Sequence, residues 1–131
     1  MSARLASIAV VLVALLACGV ASGSTSKTTT CATVNVGGHT YAVAATNIGC
    51  AFARSWVKKL AGRRLGAHTV SAALTGGPTG YACRAGTKSR GASMPDIPVN
   101  VQISGNCSKG VAGLGVFSGG PYFNWVVKSS Y

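Results

Sequence analysis

The stretch TNIGCAFARSWVKKLAGRRLG, residues 46–66, decides the fold because it carries the clearest helical pattern in the chain. Thr46 or Asn47 can cap its start, and Gly62 suits its end. The apolar residues that share one face at helical spacing are Cys50, Ala53, Trp56, Val57 and Leu60. We therefore predict one amphipathic helix whose apolar face packs on the rest of the domain.

The opposite side of this helix is basic, with Arg54, Lys58 and Lys59. Such a helix can lie on a membrane or a polyanion. Alternatively, it packs its apolar face in the core and leaves its charges in water. We favour the second interpretation, because so small a domain needs that apolar face for its core.

Alternating apolar residues on both sides of the helix predict strands. Before the helix, two alternating runs meet at Gly37–Gly38 and indicate a β-hairpin. After it, three further strands are expected in residues 80–85, 97–107 and 122–127. The side chains that share one face of the second run are Ile97, Val99, Val101, Ile103 and Cys107. The predicted fold is α+β, with one amphipathic helix packed on a small antiparallel sheet in the order β-hairpin, helix, three strands.

The N-terminal residues 1–21 form an export signal, with a basic start, an apolar run and small residues at the end. Within it, LLAC at residues 15–18 resembles the lipobox of bacterial lipoproteins, in which the leader is cut before a lipidated cysteine. That resemblance implies lipidation at Cys18 and membrane contact through a lipid anchor only. The alternative is an ordinary leader, cut after Cys18 and discarded with it.

We expect residues 19–30 to be a flexible Ser/Thr/Gly tether and residues 31–131 to be a single domain.

The other four of the five cysteines are Cys31, Cys50, Cys83 and Cys107. An even set in an exported chain predicts two disulfides, for which three connectivities exist. The predicted layout favours Cys31 with Cys50 and Cys83 with Cys107. Their separations of 19, 33 and 24 residues fit no compact zinc pattern, so we expect neither a metal nor another cofactor.

Charge is the most unusual feature of the composition. The chain has 12 lysines and arginines against one acidic residue, Asp96, and a net charge of +11. Such a high net positive charge attracts polyanions, and it also keeps an exported protein soluble near an anionic envelope. The basic residues that we expect to contact a partner are Arg54, Lys58, Lys59, Arg63, Arg64, Arg84, Lys88 and Arg90.

We find no catalytic motif and no recognised nucleic-acid motif. Phe52, Trp56, Phe123 and Trp125 are expected to fill the core rather than to stack on bases. The predicted function is a non-enzymatic binding or structural domain at the bacterial cell envelope, contacting an anionic polymer or an envelope protein. One alternative is a nuclease-like hydrolase using His39 and His68. The other alternative is an inhibitor of an extracellular enzyme, since a compact disulfide scaffold suits that role.

The segments CAFARSWVKKL, GPTGYAC, the late NC and YFNWVV are together similar to a loose family of small exported proteins from high-GC Gram-positive bacteria. The similarity spans residues 31–127 and implies an exported fold but no activity. Tyr81 stands where that family has Trp, and the loop after the helix is long. The matching positions are Cys50, Ala53, Arg54, Gly80, Tyr81, Cys83 and Cys107.

Overall fold

A computed structural model of the chain describes residues 25–87, 97–110 and 120–128. The predicted leader with Cys18, and the predicted contact residues Lys88 and Arg90, lie outside these ranges. The elements in chain order are β1 (Thr28–Val36), β2 (His39–Thr46), α1 (Cys50–Leu60), β3 (Ala72–Leu74), β4 (Tyr81–Gly86), β5 (Ser104–Lys109) and β6 (Tyr122–Val127).

The strands of the described residues form one antiparallel sheet in the order β1-β2-β6-β5-β4-β3. After the β1–β2 hairpin, the chain passes through α1 to the far edge of the sheet. It then returns strand by strand until β6 pairs with β2. The predicted α+β fold is confirmed in its general form. The expected three strands after the helix are wrong, because four follow it, and the missed β3 has only three residues.

The hairpin turn follows the prediction, since Gly37 and Gly38 lie between β1 and β2 with φ of +59° and +84°. A two-residue turn with positive φ at both positions matches the twist of the flanking strands, and glycine adopts it without strain. The chain therefore reverses at the position that the Gly-Gly pair indicates.

The predicted tether of residues 19–30 overlaps the sheet. Thr28, Thr29 and Thr30 belong to β1 and pair with the end of β2. The hydroxyls of Thr28 and Thr46 are 2.8 Å apart and share a hydrogen bond. Threonine is β-branched and suits an extended backbone, so a run of threonines extends a strand where polarity alone suggests a linker.

The strand predicted across residues 97–107 is also shorter than expected. β5 begins only at Ser104, and the preceding residues form turns in which the Val101 amide bonds the Pro98 carbonyl at 2.9 Å. Proline has no amide hydrogen to give to a sheet, and Val99, expected on the buried face, is 61% exposed. The alternating pattern therefore overstates the length of this strand.

Helix α1 packs Ala53, Val57 and Leu60, each 0% exposed, toward the sheet. This confirms that its apolar face belongs to the core. The predicted N-cap is wrong, because Gly49 occupies that position without a side-chain cap. The predicted cap residue Asn47 instead accepts a hydrogen bond from the Lys27 amide at 3.1 Å.

Two disulfides join Cys31 to Cys50 and Cys83 to Cys107, in the predicted pairing. The first ties the start of α1 to β1, and the second links directly opposed residues of β4 and β5. Each stabilises by about 2–4 kcal/mol in a domain of this size. Disulfides persist in oxidising compartments, so both bonds point to an environment outside the cytoplasm.

A buried glutamine holds the end of α1 against the sheet. Gln102 is 0% exposed, and its side-chain Nε2 donates to the carbonyls of Leu60 and Arg63, each at 2.8 Å. Its Oε1 accepts the indole N–H of Trp125 at 3.1 Å. Its backbone carbonyl accepts the Tyr41 hydroxyl at 3.0 Å. One residue thus joins the helix end to the neighbouring strands β2 and β6.

We predict that Gln102→Ala lowers the free energy of unfolding by about 2–4 kcal/mol, because the substitution leaves buried polar groups without partners. Urea denaturation measures this loss. Val99→Ala is the control, since Val99 is exposed and its truncation should change stability by no more than about 0.5 kcal/mol. Equal effects of the two substitutions would contradict the role given to Gln102.

Candidate functional site

Positive side chains, with no acidic side chain among the described residues, distinguish the surface. The described lysines and arginines are Lys27, Arg54, Lys58, Lys59, Arg63, Arg64, Arg84, Lys109 and Lys128. Asp96, the one acidic residue of the sequence, lies outside the described ranges. None of these cations therefore has a carboxylate side chain beside it within the described part of the chain. A surface of this kind attracts external anions.

The cations of α1 differ in their exposure. Lys58 and Lys59 are exposed, on the side of the helix away from its buried stripe. Arg54 is half-buried, and its Nε is enclosed without a hydrogen-bond partner among the described residues. Lys58 and Lys59 are therefore better placed than Arg54 to contact a large ligand.

Two arginines beyond the helix end are held in place by neutral groups. Arg63 donates to the Thr75 carbonyl, and Arg64 donates to Oδ1 of Asn100 at 2.8 Å. Neither acceptor carries a charge, so both guanidinium groups are oriented without being neutralised. With His39 they line a cleft of about 80 Å³ beside the hairpin turn.

The two histidines of the hydrolase alternative occupy different segments. His39 is the first residue of β2 and lines the cleft. His68 is exposed in the connection between α1 and β3, with a φ of +60°, and does not line this cleft. General acid–base catalysis needs both groups within reach of one substrate. Nothing in the described residues brings these two histidines to one site.

An aromatic cluster lies where α1 meets β4 and β6. The Phe52 ring centroid is 6.3 Å from Trp56, 5.9 Å from Tyr81 and 6.3 Å from Phe123. Phe52 is 39% exposed, so the prediction that it fills the core is wrong. The sequence carries a signal for this, because Phe52 falls outside the apolar helical face. Partial burial also raises the pKa of the Tyr81 hydroxyl above its usual range.

Lys59 joins this cluster to the basic helix face, since its Nζ is 4.5 Å from the centroid of the Trp56 ring. A cation over an aromatic face is attracted by the ring quadrupole. The exposed side of α1 therefore presents charge and aromatic surface together.

Arg84 is separated from these groups. It lies on β4 between Cys83 and Ala85, which are buried, so its exposed side chain projects from the other face of the sheet. The predicted set of basic contact residues thus divides into the group around α1 and Arg84 on the opposite face.

Across residues 25–87, 97–110 and 120–128, no three His, Cys, Asp or Glu side chains come together in a metal-binding arrangement. No helix in the same ranges is both long and apolar enough to cross a membrane. No protein-family model, curated protein or solved structure matches the chain.

We predict that iodide quenches tryptophan fluorescence through Trp56, because Trp125 is 0% exposed. The nearby charge of Lys59 concentrates iodide at the ring, so Lys59→Gln should lower the iodide quenching constant and leave quenching by neutral acrylamide unchanged. Lys128→Gln removes the same charge from the exposed residue that follows β6 and serves as the control. Equal reductions in both variants would show that only the net charge matters.

Proposed function

We propose that this chain is an exported, non-enzymatic binding domain that contacts an anionic polymer of the bacterial cell envelope. The observation that supports this most is the group of cations around α1 with no carboxylate among the described residues. We name the four residues Lys58, Lys59, Arg63 and Arg64 the α1 basic patch.

The α1 basic patch combines two kinds of cation. The exposed lysines are compact charges on flexible stems, a type of side chain that suits a polymer of variable conformation. The two arginines are held by the Thr75 carbonyl and the Asn100 amide, so less side-chain entropy is lost when an anion binds. Guanidinium groups pair with carboxylates or phosphates through two parallel hydrogen bonds. Polymers that carry carboxylates and polymers that carry phosphates therefore both fit this patch.

The proposed location rests on the two disulfides and on the export signal expected from the sequence. A lipid on Cys18 would anchor the domain at a membrane, and removal of Cys18 with the leader would release it. In either case the domain would act among anionic envelope polymers. The resemblance to small exported proteins of high-GC Gram-positive bacteria agrees with this location.

The test is retention on immobilised heparin, used as a model polyanion, during a salt gradient. Lys58→Glu, Lys59→Glu and Arg63→Glu together should make the protein elute at a clearly lower salt concentration. The physical reason is that a protein with fewer cationic contacts releases fewer counterions from the polymer when it binds. Circular dichroism checks that the variant remains folded.

The matched control reverses three exposed lysines outside the patch, with Lys27→Glu, Lys109→Glu and Lys128→Glu. Its net charge equals that of the patch variant. Under this proposal it elutes later than the patch variant, because it keeps the α1 basic patch. Equal elution of both variants would show that retention depends on net charge alone and would refute a localised patch.

A further inference from the structure

The face of the sheet opposite α1 carries a row of polar side chains. Arg84, Asn106 and Asn124 are directly paired across β4, β5 and β6. Each alternates with buried neighbours on its own strand, so all three project from the same face. Adjacent strands are about 4.8 Å apart, so the row spans about 10 Å.

A shallow depression of about 190 Å³ includes this row. Val70 and Ser71 form one wall, because the chain passes close to β4 at Gly86. A Cβ on Gly86 would lie 2.9 Å from the Thr69 carbonyl oxygen and closer still to that of Val70. Glycine at this position therefore allows the wall to approach the sheet.

Ser71 also orients the arginine of the row. The Nε of Arg84 donates to the Ser71 hydroxyl at 2.8 Å. The terminal Nη groups of Arg84 make no hydrogen bond within the described residues. They form a guanidinium edge that can donate two hydrogen bonds to a carboxylate or phosphate at the depression.

The amides beside Arg84 supply a different chemistry. Asn106 and Asn124 each offer a carbonyl acceptor and two N–H donors, which is the combination that binds hydroxyl groups. Tyr122 lies on the same face of β6 and hydrogen-bonds Asn124. Burial raises the pKa of the Tyr122 hydroxyl, and the bond to Asn124 partly offsets this rise. This hydroxyl is therefore neutral at physiological pH.

We propose that this depression binds one anionic, polyhydroxylated unit, with Arg84 pairing with the anion and Asn106 and Asn124 binding hydroxyls. An acidic sugar and a polyol phosphate share this chemistry. The inference rests on the proposed function, because it takes the bound unit to be part of the envelope polymer. The α1 basic patch would attract the polymer by charge, and the depression would recognise its chemistry.

The size and openness of the depression support a single unit. Sites for drug-sized molecules have volumes of about 300–1,000 Å³, which is larger than this depression. The depression is open to the surface, so one unit can bind while the rest of the polymer stays outside it. A site of this kind binds each unit weakly and gains affinity when several contacts act together.

The test is a titration of ¹⁵N-labelled protein followed by the side-chain amide signals of Asn106 and Asn124. The probes are sodium glucuronate, glycerol 3-phosphate and, as the neutral comparison, glucose. We expect at least one anionic probe to shift both amide signals in a saturable manner. Glucose should bind at least about tenfold more weakly than that probe. A response to glucuronate alone identifies an acidic sugar, and one to glycerol phosphate alone identifies a polyol phosphate. A response to both shows that the site binds the anionic group whether it is the carboxylate of a sugar or the phosphate of a polyol.

Two single-charge variants separate this depression from an effect of net charge. Arg84→Gln should weaken binding of the anionic probe about tenfold or more, because it removes a charged hydrogen-bond donor. Lys27→Gln removes one charge outside both the depression and the α1 basic patch and should leave probe binding unchanged. Arg84 and Lys27 are both exposed, so neither substitution is expected to unfold the protein.

Three results would overturn the inference: no shift of either amide with either anion, glucose binding as tight as anion binding, or equal effects of Arg84→Gln and Lys27→Gln. Heparin retention distinguishes this failure from failure of the proposed function. If heparin retention depends on the α1 basic patch but no probe binds, the proposed envelope function stands and only the proposed binding at the depression is refuted.

Discussion

The hydrogen bonds of Gln102 close the C-terminal end of α1 inside the protein. A helix leaves its last carbonyls without partners, and burying them unpaired is costly. Here the Gln102 amide bonds the carbonyls of Leu60 and Arg63, while its oxygen is fixed by Trp125. Gln102 also ties the helix end to β2 and β6, because it accepts the Tyr41 hydroxyl as well as the Trp125 indole hydrogen.

This arrangement has a consequence for the charged surface. Basic side chains near a helix C-terminus commonly bond its last carbonyls. In this protein Gln102 bonds two carbonyls at that end, and the side chains of Arg63 and Arg64 turn to Thr75 and Asn100 instead. Their charges consequently remain available at the surface. A buried neutral amide thus supports an exposed cationic patch.

Local chemistry explains why part of the fold was predictable. The Gly37–Gly38 pair and the apolar stripe of α1 are local signals, and neither depends on distant residues. The disulfide pairing also followed, because a hairpin beside a helix and two neighbouring strands bring each pair of cysteines together. The short β3 was missed because three residues without alternation resemble a loop.

The remaining differences have separate physical causes. The alternating run of residues 97–107 did not indicate a role for Gln102, because its amide is needed at the end of a helix that is distant in the sequence. Phe52 was placed in the core by its chemistry, although its helical position is outside the buried stripe. Arg84 was grouped with the helix cations by charge alone. Its position on the opposite face depends on the pairing of β4, which separation along the chain does not reveal.

Hydrogen exchange of the two tryptophan indoles tests the central place of Gln102 most directly. Trp125 is 0% exposed and donates its indole hydrogen to Gln102, whereas Trp56 is half-buried beside Lys59. The Trp125 indole signal should persist in heavy water until the core opens as a unit, and the Trp56 signal should disappear early. Rapid exchange of both indoles at similar rates would contradict the buried Gln102 network and the helix position that depends on it.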